Sequence, residues 1–338
     1  MAPRQRPQEV RRLLRRPQQQ PRPLGRPRSL IEPLTPDGAE DVELERVFER
    51  FGLDRGSIIR EIRNVRLVSP FATAIDYEHP QSFACVVDRE AFDGHIARSA
   101  AAAGTAIELD RRVEDLAVDA SGVTVTASSG DGGDIVRRRA RVAVIASGVD
   151  CGLQKKAGLG RPRDFLKGAQ AELPAAADEP TTIFVGRGVA PGAFAWSVPA
   201  ESGRVRVGLL TRKDPKACLQ AFLRARNNGA VVDPESAPIR TRAVVQGLLS
   251  PTVADRVLSV GEAAGQIKTT TGGGISYGLL CADMAADAIL AAFDRNAFDA
   301  GSLRPYEVRW RNLRIQEFGP AEKKAEGSCG SGCCKGSN

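Results

Sequence analysis

Apolar residues in this 338-residue chain fall into short runs separated by turn-forming residues, and the spacing within each run differs along the chain. Residues 181–185, 193–198 and 204–210 alternate with period two, as strands of an antiparallel sheet do. On the second of these, Phe194, Trp196 and Val198 share one face. Pro215–Arg226 instead carries Leu219, Phe222 and Leu223 at helical spacing, which predicts a helix laid over that sheet. Residues 42–51 read as a helix stopped by Gly52, and residues 65–74 as a strand. Residues 113–118, 122–127 and 136–145 read as a three-stranded meander, turned at Ser121-Gly122 and at Gly130 to Gly133.

Near the C-terminus the pattern changes. Residues 257–260 form a β-branched, aliphatic run that reads as a buried strand. A turn holding Gly261, Gly265, Gly272, Gly273 and Gly274 follows, and then residues 275–292, rich in Ala and Leu, read as a helix. Strand, glycine turn and helix together aim backbone N–H groups and a helix N-terminus at one spot, where anionic or electron-rich groups are favoured. Glycine lets a flat ring or a phosphate touch main chain with no Cβ between them. An ordinary strand-to-helix turn carries one or two glycines; five, beside Glu262 and three threonines, exceed that need.

At these residues the chain resembles a known family. Gly261-Glu-Ala-Ala-Gly followed by Thr271-Gly-Gly-Gly-Ile is similar to a flavin motif of FAD-dependent oxidoreductases with the p-hydroxybenzoate hydroxylase-like fold, and is closest to the geranylgeranyl reductase branch. The resemblance implies that Glu262 contacts the ribityl and phosphate region of FAD, and that Thr271, Gly272, Gly273, Gly274 and Ile275 lie against the isoalloxazine, with Gly261 and Gly265 shaping the turn. The superfamily more often has Asp where Glu262 stands and Pro where Thr269 stands. Cys85-Val-Val-Asp-Arg-Glu-Ala-Phe-Asp resembles the family's Asp-Arg-x-x-Phe-Asp segment. It implies a helix running through Ala103 with Arg89 at its start, reaching the cofactor. Residues 142–159 resemble the strand and turn that close the dinucleotide domain, with Gly148 and Asp150 lining the cofactor. Pro191-Gly-Ala-Phe-Ala-Trp-Ser-Val-Pro resembles the substrate-sheet motif, in which Phe194, Trp196 and Pro199 line an apolar tunnel. Without the flavin motif the same face reads as core. Tyr277, on the first turn after the glycines, faces either substrate and flavin or the core.

The implied fold is α/β with an α+β substrate part. Residues 41–160 and 251–300 make a discontinuous Rossmann-like FAD domain, 161–250 an antiparallel substrate domain, and 301–338 a partial helix and a Cys/Gly tail. The Gly-x-Gly-x-x-Gly turn that normally opens this fold does not occur near the N-terminus. The expectation is a domain lacking its first βαβ unit, with weak FAD binding and poor solubility.

Composition narrows the classes. Hydrophobic content of 42% is that of a folded chain. No unbroken run of 18 apolar residues occurs, which predicts no membrane-spanning helix. The net charge of +7 sits in residues 1–30, where nine arginines and one glutamate leave +8 and six prolines forbid a continuous helix. The other 308 residues are near −1, so the body is not a nucleic-acid binder by charge. Residues 1–40 read as a disordered Arg/Pro-rich segment.

Seven cysteines without a pairing pattern suit a reducing cytoplasm. Cys329, Cys333 and Cys334 lack a fourth ligand and read as a flexible tail rather than a metal site. His79 and His95 offer no nucleophilic set. No catalytic side chain is identified, which suits a protein whose cofactor does the chemistry.

The activity implied is reduction of isolated double bonds in isoprenoid lipid chains by hydride transfer from reduced FAD, with NADPH and ferredoxin-like donors both open. Peripheral contact with the inner face of the membrane accompanies such a substrate. Two alternatives stand beside it: an FAD-dependent aromatic monooxygenase of the same fold, and an inactive remnant.

Overall fold

A computed structural model describes residues 44–130, 132–150, 152–174, 180–200, 203–226, 238–247, 249–267 and 274–318. Residues 1–43, the Cys/Gly tail, and Thr271, Gly272 and Gly273 lie outside the described residues. In chain order the elements are α1 (Leu44–Arg50), β1 (Ile58–Ile62), β2 (Asn64–Val68), β3 (Ala74–Glu78), β4 (Ala84–Val87), α2 (Arg89–Ala102), β5 (Arg111–Asp119), β6 (Gly122–Ser129), β7 (Ile135–Ala140), β8 (Ala143–Ile145) and α3 (Gly152–Lys156). There follow β9 (Asp164–Pro174), β10 (Thr182–Val185), β11 (Phe194–Pro199), β12 (Arg204–Thr211), α4 (Pro215–Arg226), β13 (Arg240–Gln246), β14 (Val253–Ala254), β15 (Val257–Ser259), α5 (Ile275–Arg295) and α6 (Ala300–Phe318).

Seven strands form the largest sheet, in the order β13-β9-β12-β11-β10-β2-β3. Five of its six neighbouring pairs run antiparallel, and β10 and β2 pair in parallel. Helix α4 covers one face. Its Leu219, Phe222 and Leu223 pack on Ala169, Ala171, Ala195, Val205, Val207 and Leu209, all buried. At about 25 cal/mol per Å² of apolar surface removed from water, such a layer is the main force holding the helix down. The helix is where its apolar spacing predicted.

Two expected strands come apart. The run at 65–74 breaks at Ser69-Pro70, because Pro70 donates no N–H to a ladder. It becomes the hairpin of β2 and β3, which forms the outer end of the large sheet. The run at 136–145 divides at Arg141 into β7, paired with β6, and β8, paired with β15. The meander of β5, β6 and β7 is thus a sheet of its own.

The smallest parallel element positions the site. Strands β15 and β8 run side by side in parallel, Val257 opposite Ala143 and Ser259 opposite Ile145, with β14 antiparallel outside β15. Val257, Leu258 and Ser259 are all buried. Helix α5 leaves this sheet and packs Cys281, Ala285, Ala288 and Ala292 against Leu303, Tyr306 and Trp310 of α6. By length and composition α5 is apolar enough to cross a bilayer, although no unbroken apolar run marks it. Burial pushes the Cys281 thiol up to about 12, so it stays protonated and inert in the core. His95 is structural: its Nε2 lies 2.9 Å from the Gly52 carbonyl, tying α2 to the turn after α1.

Candidate functional site

Parallel sheets place their ligands in the crevice beyond the carboxyl ends of the strands. Here the carboxyl ends of β8 and β15 lead into Ser147-Gly148 and Val260-Gly261. Gly148 has φ +69° and Gly261 φ +70°, left-handed values that a side chain disfavours. A Cβ on Gly261 would meet no heavy atom within 4 Å, so open space faces the main chain there. A Cβ on Gly148 would lie 3.7 Å from Arg242 Nη2 and 3.8 Å from Glu262 Oε2. These two side chains form an ion pair, Arg242 Nη2 donating to Glu262 Oε2 at 2.7 Å. Gly148, Gly261, Glu262 and Arg242 therefore meet at one place.

Buried polar contacts hold the turn that carries Glu262. The Gly261 amide donates to Gln266 Oε1 at 2.7 Å, Gln266 Nε2 donates to Tyr306 Oη at 2.6 Å, and Tyr306 Oη donates to the Ser259 carbonyl at 2.6 Å. Burial raises the Tyr306 phenol well above its ordinary range and keeps it neutral. Gly265 has φ +71°, and a Cβ on it would come within 2.6 Å of the Gly247 carbonyl oxygen and 3.0 Å of Leu249. Close backbone packing, rather than ligand contact, accounts for that glycine.

Helix α5 begins beside this turn. Gly274 is its N-cap and offers no side-chain acceptor, and no acidic residue stands in the first turn. Among the described residues no side chain caps the start of this 21-residue helix, whose first N–H groups suit a negative group. Ile275 is exposed at the same end. Tyr277 is 4% exposed, and its Oη has no hydrogen-bond partner among the described residues. An orphaned hydroxyl at that depth costs about 1–3 kcal/mol and suits a polar ligand atom beside it. A glycine open to space, an uncapped helix start, one carboxylate and one unsatisfied phenol together fit a ring-bearing anionic cofactor such as FAD.

Two other expected contact residues have partners of their own. Arg89 opens α2, but its guanidinium pairs with Asp93 one turn on, at 3.0 Å, and both are exposed. The Asp150 carboxylate accepts from the Gly152 amide at 3.0 Å and starts α3. Among the described residues no group of three or more His, Cys, Asp or Glu side chains is placed to hold a metal. Three contributors escaped the sequence reading: Arg242, Gln266 and Tyr306. Only the alternation of Arg240 and Arg242 hinted at the first.

The large sheet supplies an apolar face opposite α4. Phe194 and Trp196 lie on it, with ring centroids 5.9 Å apart. Pro199 is in register with buried Ala195 and Ser197 and points to the α4 side, so it does not share the surface of Phe194 and Trp196. Trp196 lies across Gly208: a Cβ there would fall 2.4 Å from the indole. Register carries the same face outward, from Trp196 to Ile183, Leu67 and Ile75 on successive strands.

No family model matches the chain. It is 30% identical over 268 residues to digeranylgeranylglycerophospholipid reductase 2 of Methanothermobacter thermautotrophicus, covering 74% of this chain and 66% of the relative. It is 29% identical over 254 residues to the protein of that name from Methanopyrus kandleri, covering 71% of this chain and 63% of the relative. A digeranylgeranylglycerophospholipid reductase of Methanothrix thermoacetophila matches at 29% over 290 residues, 81% of this chain and 72% of the relative. The chain thus spans just under two thirds of the first two relatives.

Among solved structures, a geranylgeranyl bacteriochlorophyll reductase-like protein of Thermoplasma acidophilum superposes with a TM-score of 0.70 at 21% identity, covering 79% of this chain and 71% of that one. A flavin-dependent brominase gives 0.62 at 18% identity, covering 80% and 71%. The p-nitrophenol 4-monooxygenase of Pseudomonas putida gives 0.62 at 17%, covering 80% and 73%. At these identities the structures establish the fold. The sequence relatives carry the kinship: the chain belongs to the geranylgeranyl reductase-like family of FAD-dependent oxidoreductases.

Proposed function

We propose that this chain seats FAD at the ends of β8 and β15 and reduces isolated double bonds of isoprenoid lipid chains laid on the Phe194–Trp196 face. The observation that carries the reading is the junction between the two parts. Arg242, from the large sheet, reaches Glu262 of the glycine seat at 2.7 Å, so an apolar surface and an anion-favouring seat adjoin. The relatives named as reductases of a digeranylgeranyl lipid support the substrate class.

When bound, FAD supplies the hydride; the protein's part is to bind, orient and exclude water. Glu262 accepts hydrogen bonds from cofactor hydroxyls. The amides at the start of α5 offset negative charge on a reduced ring. Gly148, Gly261 and Gly274 keep side chains out of the way of a flat ring. Phe194 and Trp196 hold an apolar chain, at about 0.8 kcal/mol for each methylene removed from water. The buried Tyr277 Oη, without a partner among the described residues, donates to cofactor or substrate in this reading. An unactivated alkene demands a dry, fixed approach, and aromatic walls provide it.

A second reading rests on β8. Among the described residues it pairs with β15 alone, and Val144 on it is 48% exposed. With an edge so open, FAD is held weakly and the chain does not turn over. Flavin titration of the purified chain decides between them. Near-stoichiometric uptake, followed by anaerobic saturation of a geranylgeranyl lipid after chemical reduction, supports the first reading. Failure to take up flavin at tens of micromolar supports the second. Oxygen-dependent hydroxylation of an aromatic compound would displace both.

A further inference from the structure

We propose that the hairpin of β2 and β3 is a membrane-docking element that inserts Phe71 into the interface of a lipid bilayer. The inference rests on the lipid-substrate reading above for the bilayer as partner. Its structural grounds are independent of that reading.

Phe71, at the hairpin tip, is 91% exposed. Below it on one face stand Leu67 and Ile75, 40% and 64% exposed and opposite each other in register, with Tyr77 one rung further, opposite Val65. Aromatic and aliphatic side chains gathered at one end of a sheet, exposed among the described residues, mark an interaction surface. Tyr77 then stacks towards His79 and Phe83, with ring centroids 6.2–6.4 Å apart. Amphipathic rings in that position suit the headgroup level. Arg187, exposed and without an ion-pair partner among the described residues, stands in the loop against which the tip rests.

The tip's backbone favours a bilayer over a protein partner. In hydrocarbon, each unsatisfied N–H costs several kcal/mol. Here every N–H from Ser69 to Thr73 is bonded within the turn. The Ser69 amide donates to the Thr73 carbonyl at 2.9 Å and the Ala72 amide to the Ser69 carbonyl at 3.1 Å. The Phe71 and Thr73 amides donate to Ser69 Oγ at 3.3 and 3.1 Å. Pro70 has no N–H, and its ring packs on Gly186, where a Cβ would lie 2.6 Å away. The tip therefore presents an apolar side chain with its N–H groups satisfied inside the turn, and those donors leave water at no hydrogen-bond cost.

Continuity with the site supplies the purpose. Ile75, Leu67, Ile183 and Trp196 form one rung across four strands, with exposure falling towards Trp196. Three strand spacings separate its ends, about 14 Å. An isoprenoid chain drawn from a bilayer at the tip meets apolar surface all the way to the indole.

The test sediments the full chain with vesicles of zwitterionic phosphatidylcholine, which offer the arginines of residues 1–30 no net charge. The chain is expected to pellet with the vesicles. Phe71→Ser is expected to lower partitioning about tenfold, the effect of one aromatic side chain leaving the interface. Phe71→Trp is expected to bind, with emission moved to the blue and quenched by brominated acyl chains. Leu290→Ser, at an exposed apolar position of α5, is expected to change nothing. The proposal is overturned if the chain stays in the supernatant, if it pellets only with anionic lipid, if Leu290→Ser and not Phe71→Ser abolishes binding, or if Phe71→Ser alters self-association instead. Flavin titration of the same samples separates the two claims. Uptake of FAD without vesicle binding sinks the docking element alone, and vesicle binding without FAD sinks the reductase reading alone.

Discussion

Trp196 and Gly208 face each other on adjacent strands, and the indole occupies the space where a Cβ of residue 208 would sit, 2.4 Å from its nearest atom. The aromatic wall of the apolar face is thus set by an absence of side chain on the neighbouring strand. Gly208→Ala is expected to push the indole out of position and cost about 1–3 kcal/mol through overpacking. Chemical denaturation measures the loss, and a shifted tryptophan emission in the native baseline reports the displaced ring.

Glu262 is expected to matter to the cofactor and little to the fold. Its partner Arg242 is largely exposed, and ion pairs of that kind contribute about 0–1 kcal/mol. Glu262→Gln is therefore expected to leave the melting midpoint nearly unchanged while weakening FAD binding about tenfold, as befits a lost charge-assisted bond. Fluorescence titration with FAD, alongside thermal unfolding, separates the two effects.

Tyr306 behaves in the opposite way. Its hydroxyl accepts from Gln266 and donates to Ser259 in the core, so Tyr306→Phe leaves both partners unsatisfied at a cost of about 1–3 kcal/mol. Burial, the chief cause, raises its folded-state pKa above the ordinary 10.0. The stability this phenol contributes is complete below pH 10.0 and is lost as pH rises beyond it, because the unfolded chain ionises first. Unfolding curves of the wild type and Tyr306→Phe are expected to converge in strong alkali.

Asp119 sets an acid-side counterpart. Its carboxylate accepts from Arg139 at 2.7 Å and from the Ser121 hydroxyl and amide, each at 2.8 Å, at the turn between β5 and β6. The Arg139 bond first, then the Ser121 bonds, hold it well below its ordinary 3.8. The stabilisation is present above pH 3.8 and fades as acid protonates the group in the folded state. The stability difference between wild type and Asp119→Asn is expected to be full at neutral pH and to shrink at the acid end.

Elements with strong local periodicity were legible: the amphipathic helix Pro215–Arg226 and the strand alternation around Phe194 and Trp196 needed no tertiary information. Strand β9 was not, since Gly168, Ala169 and Ala171 give it little β-propensity. Its place between β12 and β13 demands small side chains, with a Cβ on Gly168 already 3.3 Å from Leu210. Apolar runs at 65–74 and 136–145 each concealed two strands, because periodicity reports which face is buried and not which neighbour is paired. Of the site, the glycines and Glu262 were readable from their crowding after a strand. Arg242 was not, because its contact depends on how β13 ends against a distant turn.

Arg242 belongs to an outer strand of the larger sheet, and Glu262 to the turn after the smaller one, and among the described residues no ladder of main-chain bonds joins those two sheets. Their bond is a latch across a seam. A guest that binds either the carboxylate or the guanidinium competes with that bond. Reciprocity then requires that the play between the two sheets register which guest has arrived.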